Sequence, residues 1–362
     1  MPDISDYVDP IVAAIYEQYE KRGNAENARP YLGASIIGKE CSRALWYGFR
    51  WASPTTFDGR MYRLFQTGHL AEQRFVADLR SIGATVWEHD PATGRQFSYS
   101  DVCGHMRGNL DAVAKHIPTG GARSHLVEMK THSAKSFAAL KKDGVKKAKP
   151  EHWIQMNTYA GWAGLDRMLY IAVSKDTDEL YTERLEFDKV EFEKTRAKAD
   201  RIIFSATPPA RISEDPKFYL CNWCDHSDVC HGHRVPQVSC RTCVHSTPER
   251  EPETEGRWSC AKAGPDSSIP VEHQRTGCAQ HLPLPSLLTY ADAIDAGDGW
   301  IEFKRKDNGL EFVVAVGGVT HPYPMFPIYS TQEVSAAKDH RVIANPEFEN
   351  LRSQFPGSKI VG

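Results

Sequence analysis

Glu128 and Lys130 lie two positions apart in the sequence and place a carboxylate close to an ammonium group. On a β-strand this spacing directs both side chains to one face. A carboxylate there can bind a divalent cation, while the ammonium group holds a water molecule or a phosphate oxygen. Because Glu and Lys alternate on many solvated strands, the pair is informative only together with its neighbours.

Two further acids precede this pair. Asp111 lies on a predicted strand, residues 109–113, which hairpin pairing would bring beside the glutamate. Glu72 falls on the apolar face of a helix predicted within residues 57–79. Taken alone, Glu72 equally suits a pair with an arginine, and Asp111 suits a turn. Three converging carboxylates and a lysine would hold Mg or Mn and hydrolyse a phosphodiester, because the cation polarises phosphoryl oxygens and activates water.

A helix predicted at residues 151–163 carries Gln155 and Tyr159, which share a face because they are four positions apart. An amide and a phenol on one face can hold a DNA phosphate or base. The alternative is an amphipathic helix with Tyr159 partly in the core.

Lysines are frequent directly after the Glu-x-Lys strand, between residues 135 and 149. They could steer DNA toward the acids through phosphate contacts, or they could belong to a solvated lysine loop. The lysines predicted to bind DNA are Lys135, Lys141, Lys142, Lys146, Lys147 and Lys175.

Cysteines form two groups, which suggests metal ligation before disulfides, because the first ten residues lack the basic and apolar regions of a secretion signal. In the first group Cys221, Cys224 and Cys230 form C-x2-C-x5-C. Three thiolates need a fourth ligand to complete a tetrahedral zinc site or an iron–sulfur cluster, and Cys41 is the candidate. Spacing alone does not separate zinc from iron and sulfur.

The second group has the spacing C-x2-C-x16-C-x17-C, which matches a zinc-ribbon-like site with four thiolates. Its members are Cys240, Cys243, Cys260 and Cys278, with His245, His273 and His281 nearby as substitute ligands.

The elements that must position these residues follow from the apolar pattern. Short strands are predicted at residues 85–87, 96–102, 109–113 and 126–128, followed by the helix at 151–163, strands at 168–173 and 180–185, and a helix from Asp188. This order predicts an α/β domain with a mixed sheet. An apolar stripe along residues 7–19 predicts a further helix packed into the core.

Three regions are predicted along the chain. Residues 1–235 form the domain with the acids and the first cysteine group, and residues 236–282 form the zinc-ribbon-like module. Residues 283–362 form a small α+β region with a hairpin around Asn308-Gly309 and a final helix near residues 348–354, in which no chemistry is apparent.

The composition bounds the class of protein. With 362 residues, 41% of them hydrophobic, the chain can bury a sizeable core, and a net charge of −3 argues against a basic protein that coats nucleic acid. No stretch of about 18 uncharged apolar residues occurs, so we expect a soluble, cytoplasmic protein of the bacterial cytosol or of phage origin, with no membrane partner.

The ordered motifs resemble those of a known nuclease family. Residues 68–72 (GHLAE), 108–112 (GNLDA), 127–130 (VEMK) and 155–159 (QMNTY) are similar to the RecB-family exonucleases of the PD-(D/E)xK superfamily. Residues 174–180 (SKDTDEL) resemble the turn that follows in phage members. The resemblance covers roughly residues 31–232 and implies a restriction-endonuclease-like mixed sheet flanked by helices.

Carried over by position, the resemblance implies that Glu72, Asp111 and Glu128 bind metal, that Lys130 assists the water, and that Gln155 and Tyr159 support the substrate strand. Many relatives have histidine where this chain has Glu72, and His69 stands three residues earlier, so the fourth member of the metal site stays open.

One distant cysteine before a C-terminal C-x2-C-x5-C, together with residues 39–50 (KECSRALWYGFR), is similar to the cluster-bearing branch of this family. That branch includes CRISPR-associated RecB-like exonucleases and AddB, and the resemblance implies a [4Fe-4S] cluster at Cys41, Cys221, Cys224 and Cys230, with zinc as the alternative.

The sequence therefore predicts a metal-dependent DNA exonuclease of recombination or repair, acting on DNA that is single-stranded or has a free end, with a possible helicase or recombination partner. Two alternatives stay open: a structure-specific endonuclease, and a non-catalytic DNA-binding subunit with a nuclease-like scaffold.

Overall fold

The structure is a computed structural model. It describes residues 9–24, 28–54, 56–232, 234–251, 255–264, 266–317, 319, 326–337, 339–355 and 357–360. The start of the predicted N-terminal stripe, residues 7 and 8, lies outside these ranges. Within them, none of the helices combines the length and apolar character needed to span a membrane.

Eleven α-helices and fourteen strands are present among the described residues. The helices are α1 (Pro10–Asn24), α2 (Ser42–Phe49), α3 (Gly59–Ser81), α4 (Ala134–Ala148), α5 (Pro150–Ala163), α6 (Lys189–Phe204), α7 (Tyr219–Asn222), α8 (Ser227–Cys230), α9 (Val271–Thr276), α10 (Thr331–Ala336) and α11 (Pro346–Gln354). The strands are β1 (Leu32–Gly33), β2 (Thr85–Trp87), β3 (Ser98–Asp101), β4 (Met106–Asn109), β5 (Ala112–Lys115), β6 (His125–His132), β7 (Arg167–Ser174), β8 (Leu180–Glu186), β9 (Ser246–Pro248), β10 (Trp258–Cys260), β11 (Ala291–Gly297), β12 (Trp300–Arg305), β13 (Glu311–Ala315) and β14 (Ile328–Tyr329).

A five-stranded sheet with the order β2-β5-β6-β7-β8 forms the centre of the molecule. Strands β6 and β7 are parallel and the other pairs are antiparallel, so the predicted mixed α/β core is confirmed. Strand β6 is covered on both faces, because Val127 and Met129 pack against α3 while Leu126 packs on the side of α5.

A second sheet, with the order β1-β4-β3, adjoins the first. The chain leaves β4 at Asn109, passes through Leu110 and Asp111, and then enters β5 of the central sheet. The continuous strand predicted at residues 109–113 is therefore wrong. The strand is interrupted because the Asp111 carboxylate accepts a hydrogen bond from the backbone N–H of Met129. This side-chain bond competes with a continued backbone ladder between the strands.

Helix α1 and the first half of α3 pack against each other outside the core. None of the residues of α1 is buried, and Ile11 is 71% exposed, so the core packing predicted for this helix is wrong. Instead α1 packs on the first half of α3, where a Cβ at Gly59 would lie 2.1 Å from the backbone oxygen of Tyr16.

The cysteine-rich segment, residues 236–282, contributes to the same hydrophobic core as α2 and the central sheet. Trp258 on β10 is fully buried, and its ring centre lies 5.5 Å from that of Phe49 at the end of α2. The C-terminal sheet, with the order β11-β12-β13-β14, buries Phe303, Phe312 and Tyr329 in a separate cluster. It contains the expected hairpin at Asn308-Gly309, and β11 extends it.

Candidate active site

The centre of β6 presents Glu128 and Lys130 on the face that points toward α5. Glu128 is fully buried, and its Oε1 accepts a hydrogen bond from Nζ of Lys130. Its other oxygen, Oε2, is buried without a hydrogen-bond partner among the described residues. A buried carboxylate oxygen without a donor is costly, so this atom is arranged for an additional positive or hydrogen-bonding group.

Asp111 stands opposite Glu128 because Ala112 pairs with Val127 in the antiparallel ladder of β5 and β6. Its Oδ2 accepts the backbone N–H of Met129 at 2.9 Å. This bond fixes the carboxylate beside the strand that carries Glu128 and Lys130, and it leaves lone pairs on both oxygens for other partners.

Glu72 lies on α3, and its side chain is 40% exposed. It is therefore half-buried and does not belong to the buried apolar face of the helix, where the sequence placed it. Burial and the charge of Asp111 raise the pKa of Glu72, while His69 and Lys130 oppose that shift. Glu72 is thus close enough to both Asp111 and Lys130 to interact with them. His69 is 76% exposed and lies 3.6 Å from the Glu72 carboxylate.

The electrostatics of the pair on β6 are coupled. Burial raises the pKa of Glu128 well above its ordinary value, Asp111 and Glu72 add to the rise, and Lys130 opposes it. Burial lowers the pKa of Lys130, but the charges of Glu128 and Asp111 outweigh it, so the net shift is upward. Lys130 therefore stays cationic, and a further positive charge would favour an ionised Glu128.

Tyr159 and Gln155 on α5 face the same acids. Tyr159 is 3% exposed, and burial together with the charges of Glu128 and Asp111 raises the pKa of its phenol. A Cβ at Gly108 would lie 2.4 Å from the Tyr159 ring and 2.7 Å from its hydroxyl, so the ring rests directly on the backbone of β4. Residues of the four motifs GHLAE, GNLDA, VEMK and QMNTY thus lie within electrostatic reach of one another.

A cleft of about 1650 Å³ opens beside these residues. Glu72, Lys130 and Lys175 line it, as does the segment that leads into β1. The cleft also reaches the first cysteine group. This volume exceeds the roughly 300–1,000 Å³ of a typical small-molecule pocket.

The lysines predicted to bind DNA are dispersed over α4 and the start of the loop after β7. The run between residues 135 and 149 is helical, not a loop, with a kink at Gly144, whose φ is 72°. Lys141 pairs with Glu179, Lys147 pairs with Asp143, and Lys146 lies over the ring of Trp153. Lys135 and Lys142 are exposed. Of the six predicted lysines, Lys175 lines the cleft.

Sequence reasoning did not find a buried network next to Lys130. The hydroxyl of Tyr170 lies 2.8 Å from Nε2 of His132 and 2.8 Å from Nδ1 of His152. Burial and nearby lysines lower the pKa of His132 to about 4 and that of His152 to about 3, so both rings are neutral at pH 7. His132 continues the alternation of Glu128 and Lys130 along β6, which is the signal that could have identified it.

The first cysteine group converges although its members are far apart in sequence. Cys41 is the N-cap of α2, and its sulfur accepts the backbone N–H of Ala44 at 3.4 Å. Burial raises the pKa of Cys221 and of Cys224, and the charges of Cys41 and Cys230 add to both shifts. The four sulfurs therefore lie within electrostatic reach of one another at the wall of the cleft.

The second group converges in the same way. Burial raises the pKa of Cys240 to about 11, and the thiols of Cys278, Cys243 and Cys260 contribute to the rise. Backbone hydrogen bonds from His245 and Leu282 to Cys243 act in the opposite direction. Of the nearby histidines, His281 has its Nε2 atom 3.0 Å from the carbonyl oxygen of Ser239.

Across the described residues, no three side chains of the His, Cys, Asp and Glu types are already arranged to hold a metal ion. This holds for the carboxylates around β6 and for both cysteine groups.

Comparisons with known proteins give structural likenesses only. No protein-family model and no curated protein matches the chain. The crystal structure of SSO0001 is similar at 12% identity and a TM-score of 0.39, over 62% of this chain and 98% of that one. The alkaline exonuclease LHK-Exo from Laribacter hongkongensis is similar at 14% identity and a TM-score of 0.34, over 51% of this chain and 90% of that one. LHK-Exo in complex with dAMP gives 13% identity, a TM-score of 0.33, and coverage of 52% and 90%.

Proposed function

We propose that the protein is a divalent-metal-dependent deoxyribonuclease that hydrolyses phosphodiester bonds in the cleft beside β6. One observation carries the proposal: Glu128 is fully buried with a free oxygen, next to Asp111 and Lys130 and within reach of Glu72. A purely structural core has no use for so many ionisable groups at one point, because each adds a desolvation cost.

The donor set fits a hard divalent cation. Carboxylate oxygens are the ligands that Mg and Mn prefer, and Glu72, Asp111 and Glu128 would supply them. A bound cation would polarise the phosphoryl group and lower the pKa of the attacking water.

The side chains of this chain have separate tasks. The Lys130 ammonium group, held by Glu128, would orient the attacking water or a non-bridging phosphate oxygen. Asp111 is kept in place by the Met129 N–H and does not need to reorganise when substrate arrives. Tyr159 and Gln155, buried on α5 beside the acids, would support the scissile strand there.

The size and charge of the cleft support DNA as the substrate. Lys175 lines the cleft together with Lys130 and would attract the backbone of the strand. We propose that the enzyme acts as an exonuclease. A structure-specific endonuclease and a non-catalytic DNA-binding protein are the other outcomes of the test below.

The test compares linear with covalently closed circular single-stranded DNA, each with Mg or Mn and with chelator. The exonuclease degrades only the linear form, an endonuclease cuts both, and a non-catalytic binder shifts both in a gel without cutting.

In the same assay, Glu128→Ala, Lys130→Ala and Asp111→Asn should each lower the rate at least about a hundredfold while DNA binding persists, because positioning and charge stabilisation supply much of the acceleration. Glu186→Gln removes an exposed acid on β8 and serves as the matched control. Full activity of Lys130→Ala would overturn the proposed catalytic assignment.

We further propose a metal centre at each cysteine group. The group of Cys41, Cys221, Cys224 and Cys230 would hold a [4Fe-4S] cluster, with zinc as the alternative, and the group of Cys240, Cys243, Cys260 and Cys278 would hold zinc. Four thiols within mutual electrostatic reach fit such ligands, and backbone N–H groups directed at Cys224 and Cys243 stabilise the thiolate form.

A further inference from the structure

The segment 28–30 enters the cleft just before β1 and is held by an unusual set of donors. Three consecutive carbonyl oxygens each accept a hydrogen bond from a side chain: that of Ala28 from Nη2 of Arg275 at 2.7 Å, that of Arg29 from Nε1 of Trp51 at 3.1 Å, and that of Pro30 from Nη2 of Arg241 at 2.8 Å. Backbone carbonyls in a loop usually bond to water, so this segment is fixed with more side-chain contacts than a connector needs.

Two of the three donors belong to the cysteine-rich segment. Arg241 lies between Cys240 and Cys243, and Arg275 lies on α9, three residues before Cys278. Arg241 is 1% exposed, donates to the backbone oxygen of Phe49 at 2.8 Å, and lies 3.9 Å from the ring centre of Trp51. Burying a guanidinium group without a carboxylate is expensive, which indicates that its position is important.

The residue in the middle of this segment, Arg29, has an exposed side chain and lines the cleft. Its guanidinium lies near Gly33, because a Cβ there would be 3.6 Å from Nη1 of Arg29. Arg29 also contributes to the electrostatics of Tyr159, whose other charged neighbours are Glu128 and Asp111. Arg29 thus lines the same cleft as Glu72 and Lys130 and lies within electrostatic reach of Tyr159.

The acids at this site repel the negative charge of a phosphate group. A phosphate bound beside them therefore needs positively charged side chains as partners. Lys130 is already paired with Glu128, and Glu72 and Asp111 add negative charge. A planar guanidinium with five N–H donors matches the oxygens of a phosphodiester better than any other side chain.

We propose that Arg29 binds a phosphate group of the DNA substrate beside the catalytic acids, and that Arg241 and Arg275 of the cysteine-rich segment act as positioning residues for it. This inference rests on the proposed nuclease function. It gives the cysteine-rich segment a role in substrate binding that requires no contact between that segment and the DNA.

The test measures steady-state cleavage of a single-stranded oligonucleotide by the full chain over a range of salt concentrations. Arg29→Ala should lower kcat/KM about tenfold to a hundredfold, mainly by raising KM. The slope of log affinity against log salt concentration should fall by about one, as expected for the loss of one phosphate contact. Arg29→Lys should recover part of the loss. The thermal midpoint should not change, because the side chain is exposed.

The positioning role is tested separately. Arg275→Ala removes the hydrogen bond to Ala28 and should raise KM by a smaller factor, and combining it with Arg29→Ala should give little further loss, because both act through the same contact. Arg123→Ala, an exposed arginine away from the cleft, is the control and should behave as wild type.

The outcomes separate the two proposals. If wild type and Arg123→Ala fail to cleave or bind DNA, the nuclease function is overturned and the inference with it. If wild type cleaves and Arg29→Ala has the same KM and salt dependence, the role of Arg29 alone is overturned. If Arg275→Ala and Arg29→Ala have fully additive effects, the positioning role is overturned.

Discussion

The contact between Gly108 and Tyr159 links two of the sequence motifs at the level of single atoms. The ring of Tyr159 occupies the place that a side chain at position 108 would need. Tyr159 in turn faces Glu128 and Asp111, so the absence of a side chain at Gly108 sets how closely the phenol approaches the acids.

We expect Gly108→Ala to displace the Tyr159 ring. An added Cβ at 2.4 Å from a ring carbon cannot be accommodated without movement, and overpacking of this kind costs about 1–3 kcal/mol. The free energy of unfolding from urea titration should fall by that amount, and the cleavage rate should fall because the phenol no longer faces the acids.

Gly317→Ala provides the matched control. A Cβ at Gly317, an exposed residue after β13, would meet nothing within 4 Å. This substitution should leave cleavage unchanged and change stability by less than about 0.5 kcal/mol, as surface substitutions usually do. Equal stability and cleavage in Gly108→Ala and wild type would refute the importance of the close approach.

For single residues, the sequence identified the candidate site residues better than it identified their burial and hydrogen-bond partners. The strand period placed Glu128 and Lys130 on one face, and the structure has them there. It did not indicate that Glu128 is fully buried with an unpartnered oxygen. Arg29 belongs to no motif, because its position depends on donors more than 200 residues away in sequence, Arg241 and Arg275.

Among the elements, strand β3 and helix α6 are joined by a partly buried ion pair. Asp101 on β3 accepts hydrogen bonds from Nε of Arg196 at 2.6 Å and from Nε1 of Trp162 at 2.9 Å, and its side chain is 13% exposed. Burial by itself raises the pKa of Asp101, but these donors outweigh it, so the net pKa lies below the ordinary value.

This shift predicts a pH dependence of stability with a definite sign. A carboxyl group whose folded-state pKa is depressed contributes its full stabilisation above its unfolded pKa of about 3.9, and the contribution is lost as the pH falls through the lower folded-state pKa. We expect Asp101→Asn to lower the free energy of unfolding at pH 7 by about 2 kcal/mol, with the difference from wild type narrowing below about pH 4.

Denaturant unfolding at a series of pH values from 7 to below 4 measures this difference. Asp143→Asn is the control, since Asp143 pairs with Lys147 on the surface of α4 and should show little effect at any of these values. An Asp101→Asn deficit that stays constant down to the acid limit would contradict the proposed cause.

The elements predicted from the sequence were most reliable where the pattern was local. Helix α5, strands β7 and β8 and the hairpin of β12 and β13 follow from apolar periodicity and turn residues. The break between β4 and β5 was missed, because it depends on a hydrogen bond from Met129 to the Asp111 side chain. The apolar stripe of α1 was assigned to the core, but α1 packs on helix α3 and none of its residues is buried.

At the scale of the whole molecule, helix α2 connects the N-terminal part of the chain with residues from its second half. Arg50 at the end of α2 donates to the backbone oxygens of Arg241 and Ser205, and its guanidinium lies over the rings of Trp46 and Trp258. At the other end of α2, Cys41 faces Cys221 and its neighbours. One short helix is therefore anchored at both ends by residues from the distant half of the chain.

The anchor at Cys41 can be tested through the metal content and the stability of the protein. Metal bonds from Cys41 to Cys221, Cys224 and Cys230 would close a loop of about 180 residues, and such a closure constrains the unfolded chain much as a cross-link does. If the centre is the proposed cluster, anaerobically purified protein should be brown and contain iron and acid-labile sulfide. Cys41→Ser should lose the colour and lower the thermal midpoint by about 5–10 °C.

Cys103→Ser is the matched control, because the Cys103 sulfur donates to the backbone oxygen of Arg250 and takes no part in either cysteine group. It should keep both the iron and the thermal midpoint. A colourless anaerobic protein with two zinc ions per chain would replace the cluster by zinc and retain the four-cysteine centre, since zinc accepts the same four thiolates. Wild-type metal content and stability in Cys41→Ser would remove Cys41 from the centre altogether, and α2 would then be anchored to the distant half of the chain through Arg50 and its aromatic neighbours alone.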